Sequence, residues 1–392
     1  MAAFHVARKR SRRLPSLVEP KTGVGGAGMS ETGQSAGHAP VTPRQSKAEA
    51  LELAASPEVH TTAGRALAFR KQLHGMRAYY VYNQHINHTN ICTNACRFCA
   101  FSKRLGDSGA YTQSIGQIEA LVSSRLDEPI TEIHIVGGLN PALPLGYYLE
   151  LIRRIKVLRP EATVKAFTAV EVAFLAETCG KGVTDILAML RDAGLGALPG
   201  GGAEVFDPEL RQRLCPEKLS GAKWLEVHAA AHAMGIPTNA TMLFGHIETW
   251  KERLDHLEAL RDLQDATGGF MCFIPLPYQP GNNPLGGKGP DGLDYLKTMA
   301  VSRLFLDNIP HLKAYWVFAG IKPAQVALWA GADDFDGTIV EERIGHAAGA
   351  TSPKGLTIQD LRRSIEAAGF FPVERNALFA PVASGNQGTG PD

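Results

Sequence analysis

The chain of 392 residues carries 40 basic and 39 acidic residues, a formal charge of +1, and 44% hydrophobic residues. That balance is typical of a globular protein in solution and gives no electrostatic footing for nucleic acid as a partner. No apolar run approaches the ~18 residues that read as a membrane span, and six cysteines are too sparse for a disulfide framework.

In chain order, Arg8, Lys9, Arg10, Arg12 and Arg13 open a Gly/Ser/Thr/Pro-rich stretch reaching residue 45. It has too little apolar content to offset the entropy of ordering, so 1–45 is expected to be a disordered extension, with Met29 as an alternative start. From 46 to 375 short apolar runs alternate with helical stretches, the pattern of repeated βα units. Helical pieces at 47–55 and 63–73 lead to a strand at 79–83, and helix 114–126 to a strand at 132–136. Helix 146–158 precedes strand 163–167; helices 172–179 and 183–193 precede strand 195–198. Helix 224–234 precedes strand 237–244, helix 250–265 precedes 269–274, helix 293–308 precedes 311–318, and a last helix covers 323–329. Seven or eight such strands predict a (β/α) barrel of parallel strands, with residues 376–392 as a loose tail.

In a barrel of this kind the active residues sit in loops after the strands. After the first strand come Cys92, Cys96 and Cys99, three thiols in eight residues with Phe98 just before the last. A structural zinc site is normally closed by four ligands, whereas a four-iron cluster on three cysteines leaves one iron open. A zinc knuckle completed by His85 or His88 is the competing reading. Cys179, Cys215 and Cys272 stand singly and read as small buried residues.

Gly137-Gly138-Leu139-Asn140-Pro141 follows the second strand and lets a ligand approach the backbone closely. Glu171 follows the third. Pro199-Gly200-Gly201-Gly202-Ala203-Glu204 follows the fourth and can bring a carboxylate to a ribose or a polar substrate group. Both acids also suit helix starts. His246 and Glu248 follow the fifth strand, where proton transfer or carboxylate binding would suit them. His228 and His232 lack the flanking Glu of a zinc protease motif and read as a helix surface. Asp333-Asp334 and Glu341-Glu342 read as caps or solvated acids.

The run Asn90-Ile91-Cys92 through Phe101, with C-x3-C-x2-C spacing, resembles the radical S-adenosylmethionine (SAM) enzymes. Together with 137–141, 198–204 and 242–249 it resembles the subgroup of aminofutalosine synthase, dehypoxanthine futalosine cyclase and deazaflavin-precursor (FO) synthase subunits, over about residues 60–375. Stretches 267–270, 306–316 and 331–342 look most like the first of these.

The resemblance implies a [4Fe-4S] cluster on Cys92, Cys96 and Cys99, with SAM consumed as co-substrate and contacted by Phe98, Gly137, Gly138 and Glu204. The family's usual Glu after the two glycines is here Leu139. It implies addition of a 5'-deoxyadenosyl radical to 3-[(1-carboxyvinyl)oxy]benzoate, in the futalosine route to menaquinone. For this dicarboxylate, an aromatic enol ether, Glu171, His246, Glu248 and Lys313 are substrate-binding candidates, with His311 and Arg303 as further cations. Phe273, Tyr315 and Trp316 would suit the phenyl ring. A one-electron reductant such as flavodoxin or ferredoxin and a reducing, cytoplasmic setting follow from such a cluster.

Overall fold

The computed structural model describes residues 44–382 apart from residue 341. The expectations for residues 1–43, for Glu341 and for the tail beyond 382 lie outside these described residues.

Among the described residues there are ten strands: β1 Arg77–Val81, β2 Asn83–Ile86, β3 Glu132–Ile135, β4 Thr163–Ala166, β5 Leu195–Ala197, β6 Thr238–Phe244, β7 Phe270–Pro277, β8 His311–Leu312, β9 Asp334–Gly337 and β10 Phe371–Arg375. Their pairings are all parallel, in the orders β2-β3-β4-β5, β6-β7-β8 and β10-β1-β9. Single parallel rungs join these groups: Leu198 with Thr238, Lys313 with Asp334, and Gln84 with Val340. Because β1 and β2 are two halves of one strand broken at Tyr82, the ring closes on eight strands, and β10 lies outside it against β1. The expected barrel is what the chain forms.

Local chemistry sets the connecting helices. Ser114 and Gln117 form a reciprocal capping box that starts Ile115–Ser123, and Thr168 with Glu171 does the same for Ala169–Thr178. Gly194 and Gly268, both at positive φ, end the helices before β5 and β7. Helix Leu145–Leu158 buries Tyr148, Leu149, Leu151, Ile152 and Ile155, one apolar stripe laid against the strands.

The period of two in each strand does the rest. Ile133 and Ile135 of β3 are fully buried in the layer between strands and helices, while Glu132 and His134 face the barrel interior. In β4, Val164 and Ala166 face out to that layer and Lys165 faces in. An ordinary barrel fills its interior with branched apolar side chains; here the interior carries charge.

Several expectations are corrected. The strand foreseen at 311–318 stops at Leu312, and Trp316–Ala319 is a short helix. Helices Pro208–Leu214, Ile344–Ala347 and Ile358–Ala367 and strands β9 and β10 were not foreseen. Folded chain also runs past 375: Arg375 pairs with Pro381, Val382 N–H donates to Glu374 O at 2.9 Å, and the Phe379 ring stacks on His311 at 4.0 Å. No helix of the described residues is long and apolar enough to cross a membrane.

Candidate functional site

A cavity of about 310 Å³ opens at the C-terminal ends of the strands, the size class of a small-molecule site. One wall is the loop after β2, with Cys92, Cys96, Phe98 and Cys99. That loop is pinned by backbone bonds: Cys92 N–H to Lys103 O at 2.9 Å, Thr93 N–H to Leu139 O at 3.0 Å and Arg97 N–H to Leu214 O at 2.8 Å. All three thiols are free.

The glycines of the second loop are there for space. A methyl on Gly137 would enter the His88 ring, and one on Gly138 would strike the Ile91 carbonyl and stand 3.0 Å from Cys92 Cβ. His88 is thus enclosed beneath Gly137 among Tyr147, Tyr148 and Phe167, and burial drives its pKa down to about 3. Among the described residues the one group of three or more potential ligands within 4.8 Å is His74, His311 and Asp333, at the opposite, N-terminal end of the strands. The three thiols form no such group with His85 or His88, which disfavours a single zinc ion. A larger group that bridges separated thiolates suits this donor set.

Cys215 carries a signal the sequence reading missed. It is buried, as foreseen, but it packs against Cys96. Their shared hydrogen bond, and then burial, push the Cys96 thiol up. Nothing in its spacing could have revealed this, because helix Pro208–Leu214 alone delivers it.

The third and fourth loops meet beside the thiol loop. Glu171 accepts from Thr168 N–H at 2.7 Å and from Gly137 N–H at 3.1 Å, tying its capping box to the glycine loop. Burial lifts its pKa to about 7 against those bonds. Gly200 approaches β6 so closely that a Cβ would stand 2.6 Å from Asn239 O. Glu204 lines the cavity at φ 52, a left-handed conformation costly for a residue with a side chain. Its carboxylate takes a 2.6 Å bond from Lys218 Nζ, and Lys218 in turn sits over the Phe98 ring at 5.4 Å.

The floor is polar. His85, Glu132, His134, Lys165, Lys313 and Asp336 all reach it. Lys165 donates to Glu132 at 2.7 Å and Lys313 to Asp336 at 2.7 Å. Asp336, like Glu204, is left-handed, at φ 67.

Four of the expected substrate groups are elsewhere. His246 and Glu248 do not line the cavity: Glu248 accepts from His246 N–H at 2.9 Å and from Arg253 Nε at 2.8 Å, so its carboxylate is spent on the turn around Gly245. Burial would raise Glu248, but His246 and Arg253 outweigh it and hold its pKa at about 2. His311 and Arg303 belong to the N-terminal end; His311 Nδ1 lies 2.6 Å from Asp333 Oδ2, and Arg303 donates to Leu306 O at 2.8 Å and Pro310 O at 3.1 Å. Of the aromatics, Tyr315 lines the cavity, whereas Phe273 and Trp316 are core. Asp333 and Asp334 are no caps but buried partners of His311, Arg375 and Lys313. Glu342 caps Ile344–Ala347 through Ile344 N–H at 2.8 Å and also lines the cavity. His228 and His232 both bond Thr238 Oγ1 at 2.8 Å, a structural role.

Comparison with known proteins agrees with this geometry. Residues 86–260 match the Radical SAM superfamily, and residues 267–387 match the CofH/MqnC C-terminal region. The chain is 45% identical to aminodeoxyfutalosine synthase of Thermus thermophilus over 344 residues, covering 86% of this chain and 92% of that one. It is 42% identical to the enzyme of the same name from Streptomyces coelicolor, covering 86% and 90%. It is also 40% identical to a 5-amino-6-(D-ribitylamino)uracil--L-tyrosine 4-hydroxyphenyl transferase of Methanopyrus kandleri, covering 80% and 86%. Among solved structures, methylornithine synthase (PylB) superposes with a TM-score of 0.69 at 18% identity, over 84% of this chain and 94% of that one. The hydrogenase maturase HydG of Carboxydothermus hydrogenoformans gives 0.66 at 17%, over 86% and 77%; both likenesses concern the fold. Cavity, thiol loop and sequence kinship agree, and the chain belongs to the radical SAM superfamily, in the group that holds aminodeoxyfutalosine synthases and the 4-hydroxyphenyl transferases.

Proposed function

We propose that the chain is an aminodeoxyfutalosine synthase, joining the 5'-deoxyadenosyl group of SAM to 3-[(1-carboxyvinyl)oxy]benzoate. Rearrangement and loss of one carboxylate as carbon dioxide or bicarbonate would give 6-amino-6-deoxyfutalosine, with methionine as the other product. The observation that carries this reading is the 45% identity to a synthase of that name across 92% of its length. Three thiols on one wall of the cavity support it.

When bound, a [4Fe-4S] cluster on Cys92, Cys96 and Cys99 would leave one iron to hold SAM and supply the electron that cleaves its sulfonium. The chain's own residues hold and orient the reactants. Gly137 and Gly138 keep the wall beside Cys92 free of side chains, so the methionine end of SAM can lie against backbone. Glu204, anchored by Lys218, would receive a ribose hydroxyl, and Phe98, with Lys218 over its ring, would cover the same edge. Tyr315 and Phe318 line the cavity and could serve as apolar walls for an aryl ring. Fixing alkene and adenosyl carbon in register, away from water, is the larger share of such catalysis. A cluster with an open iron needs a one-electron donor of the flavodoxin or ferredoxin kind and a reducing, cytoplasmic setting.

The transferase kinship at 40% favours one second reading, a 4-hydroxyphenyl transfer from tyrosine. Product analysis after anaerobic reconstitution separates the two. With the enolpyruvyl benzoate and SAM, the adenosyl carbons are expected inside a single new product. Stoichiometric free 5'-deoxyadenosine would refute the synthase reading.

A further inference from the structure

The inner end of the cavity holds three polar residues at one level. His85 of β2 is the register partner of His134 in β3, which is the register partner of Lys165 in β4. The two imidazoles stack, with centroids 4.5 Å apart and planes 22° from parallel. Every cation nearby is already matched: Lys165 to Glu132 at 2.7 Å, Lys313 to Asp336 at 2.7 Å and Arg375 to Asp334. The imidazoles are not. His85 Nε2 lies 3.4 Å from Asn83 Nδ2, and the nearest carboxylate to His134 is Glu132, at 4.0 Å.

Resting on the synthase reading above, we infer that the His85–His134 pair is the seat of the ring carboxylate of the benzoate substrate. The alkene has to meet the adenosyl carbon beside the thiol loop, which follows β2. The ring carboxylate, at the far end of the molecule, then points down the barrel to the level of His85 and His134. A carboxylate entering a buried site needs donors for both oxygens, and each of the two stacked rings has an N–H to give, His85 keeping Nε2 for the Asn83 amide. Charge completes the fit. Around the pair stand Glu132, Asp336 and Glu342 against Lys165 and Lys313, and Glu342 is itself 2.9 Å from His346 Nδ1. Each of these carboxylates has a basic partner, so no cation is left over for an arriving anion unless an imidazole takes up a proton. Burial lowers the pKa of both rings in the free protein, and the arriving carboxylate favours the charged form. Substrate binding is therefore accompanied by uptake of a proton.

The reconstituted enzyme tests this with two substrates, 3-[(1-carboxyvinyl)oxy]benzoate and 2-phenoxyacrylate, which lacks the ring carboxylate. In the wild type, loss of that carboxylate is expected to raise KM by roughly tenfold or more, the scale of a charge-assisted hydrogen bond. In His134→Phe the two substrates are expected to differ less than about threefold. Calorimetry in buffers of different ionisation enthalpy should show proton uptake with the benzoate for the wild type and not for the variant. His85→Asn, read the same way, decides the matter if His134→Phe does not fold. Discrimination as strong in the variants as in the wild type overturns the assignment alone. A wild type that does not turn over the enolpyruvyl benzoate overturns the synthase reading, and this assignment with it.

Discussion

Replacing Lys165 by Met tests whether the charged barrel interior is held by its ion pairs. The two side chains are 3% and 1% exposed, and Nζ donates to Glu132 Oε2 at 2.7 Å. Burial pulls the Lys165 ammonium down and would push the Glu132 carboxyl up; Lys165, with Lys313 and Arg375 behind it, outweighs burial and holds Glu132 well below the usual carboxylate range. Removing one partner of a buried pair costs about 3–5 kcal/mol, because the other charge stays buried. Glu132 keeps a 3.3 Å bond from Asn83 Nδ2, so the lower end, about 3 kcal/mol, is expected. Adding Glu132→Gln should recover at least half of that loss. Urea unfolding of the cluster-free protein measures both. The sign with pH follows: a depressed carboxyl contributes stability above its unfolded value of about 4.3 and loses it as pH falls. The gap between wild type and Lys165→Met should therefore narrow on acidification. A single variant within about 1 kcal/mol of wild type, with the double variant no better, would refute the ion-pair account.

Three further outcomes are expected. Gly138→Ala, whose methyl would strike the Ile91 carbonyl beside Cys92, should lose at least half of the iron bound on reconstitution with the far-UV spectrum unchanged; full iron content would contradict the packing argument. Cys96→Ala should fail to hold the cluster, whereas Cys215→Ala, which removes only the neighbouring thiol, should retain most of it by iron and sulfide analysis; equal losses would make Cys215 a ligand. Glu248→Gln should cost about 3–5 kcal/mol yet leave KM per folded molecule unchanged, since Glu248 serves Gly245, His246 and Arg253. Because its pKa is about 2, its contribution is complete above ~4.3 and fades towards pH 2, so the wild-type advantage should close over that interval.

The barrel was legible because seven of its strands carry apolar residues at the outward positions, as Ile133 and Ile135 do. β9 was not, because its Asp-Phe-Asp-Gly sequence places acids where a strand usually shows Val or Ile, and their partners Lys313 and Arg375 come from distant segments. The overlong strand at 311–318 arose from reading Trp316 as a strand residue, although its indole turns in to bond Gly337 O at 3.1 Å. The thiol loop was legible from spacing alone. His246 and Glu248 were misplaced because polar residues after a strand look alike whether they face a ligand or serve a turn. Glu132, His134 and Lys165 were passed over for the converse reason. Alternation marks two faces of a strand, and polar residues on the second face suggest solvent unless closure of the ring is known.

The outer strand has a consequence for biosynthesis. β10 is in register with β1 from Arg77–Phe371 to Val81–Arg375, so the segment that leads into the thiol loop gains its edge partner from residues 294 positions further on. Contacts of such sequence separation form late and slowly. During translation the thiols emerge first and wait, with no closed barrel behind them, until β9 has been made and can pair with β1. Iron and sulfide offered to a nascent chain would meet loose cysteines open to oxidation and wrong metals, so cofactor loading belongs after the ring has closed.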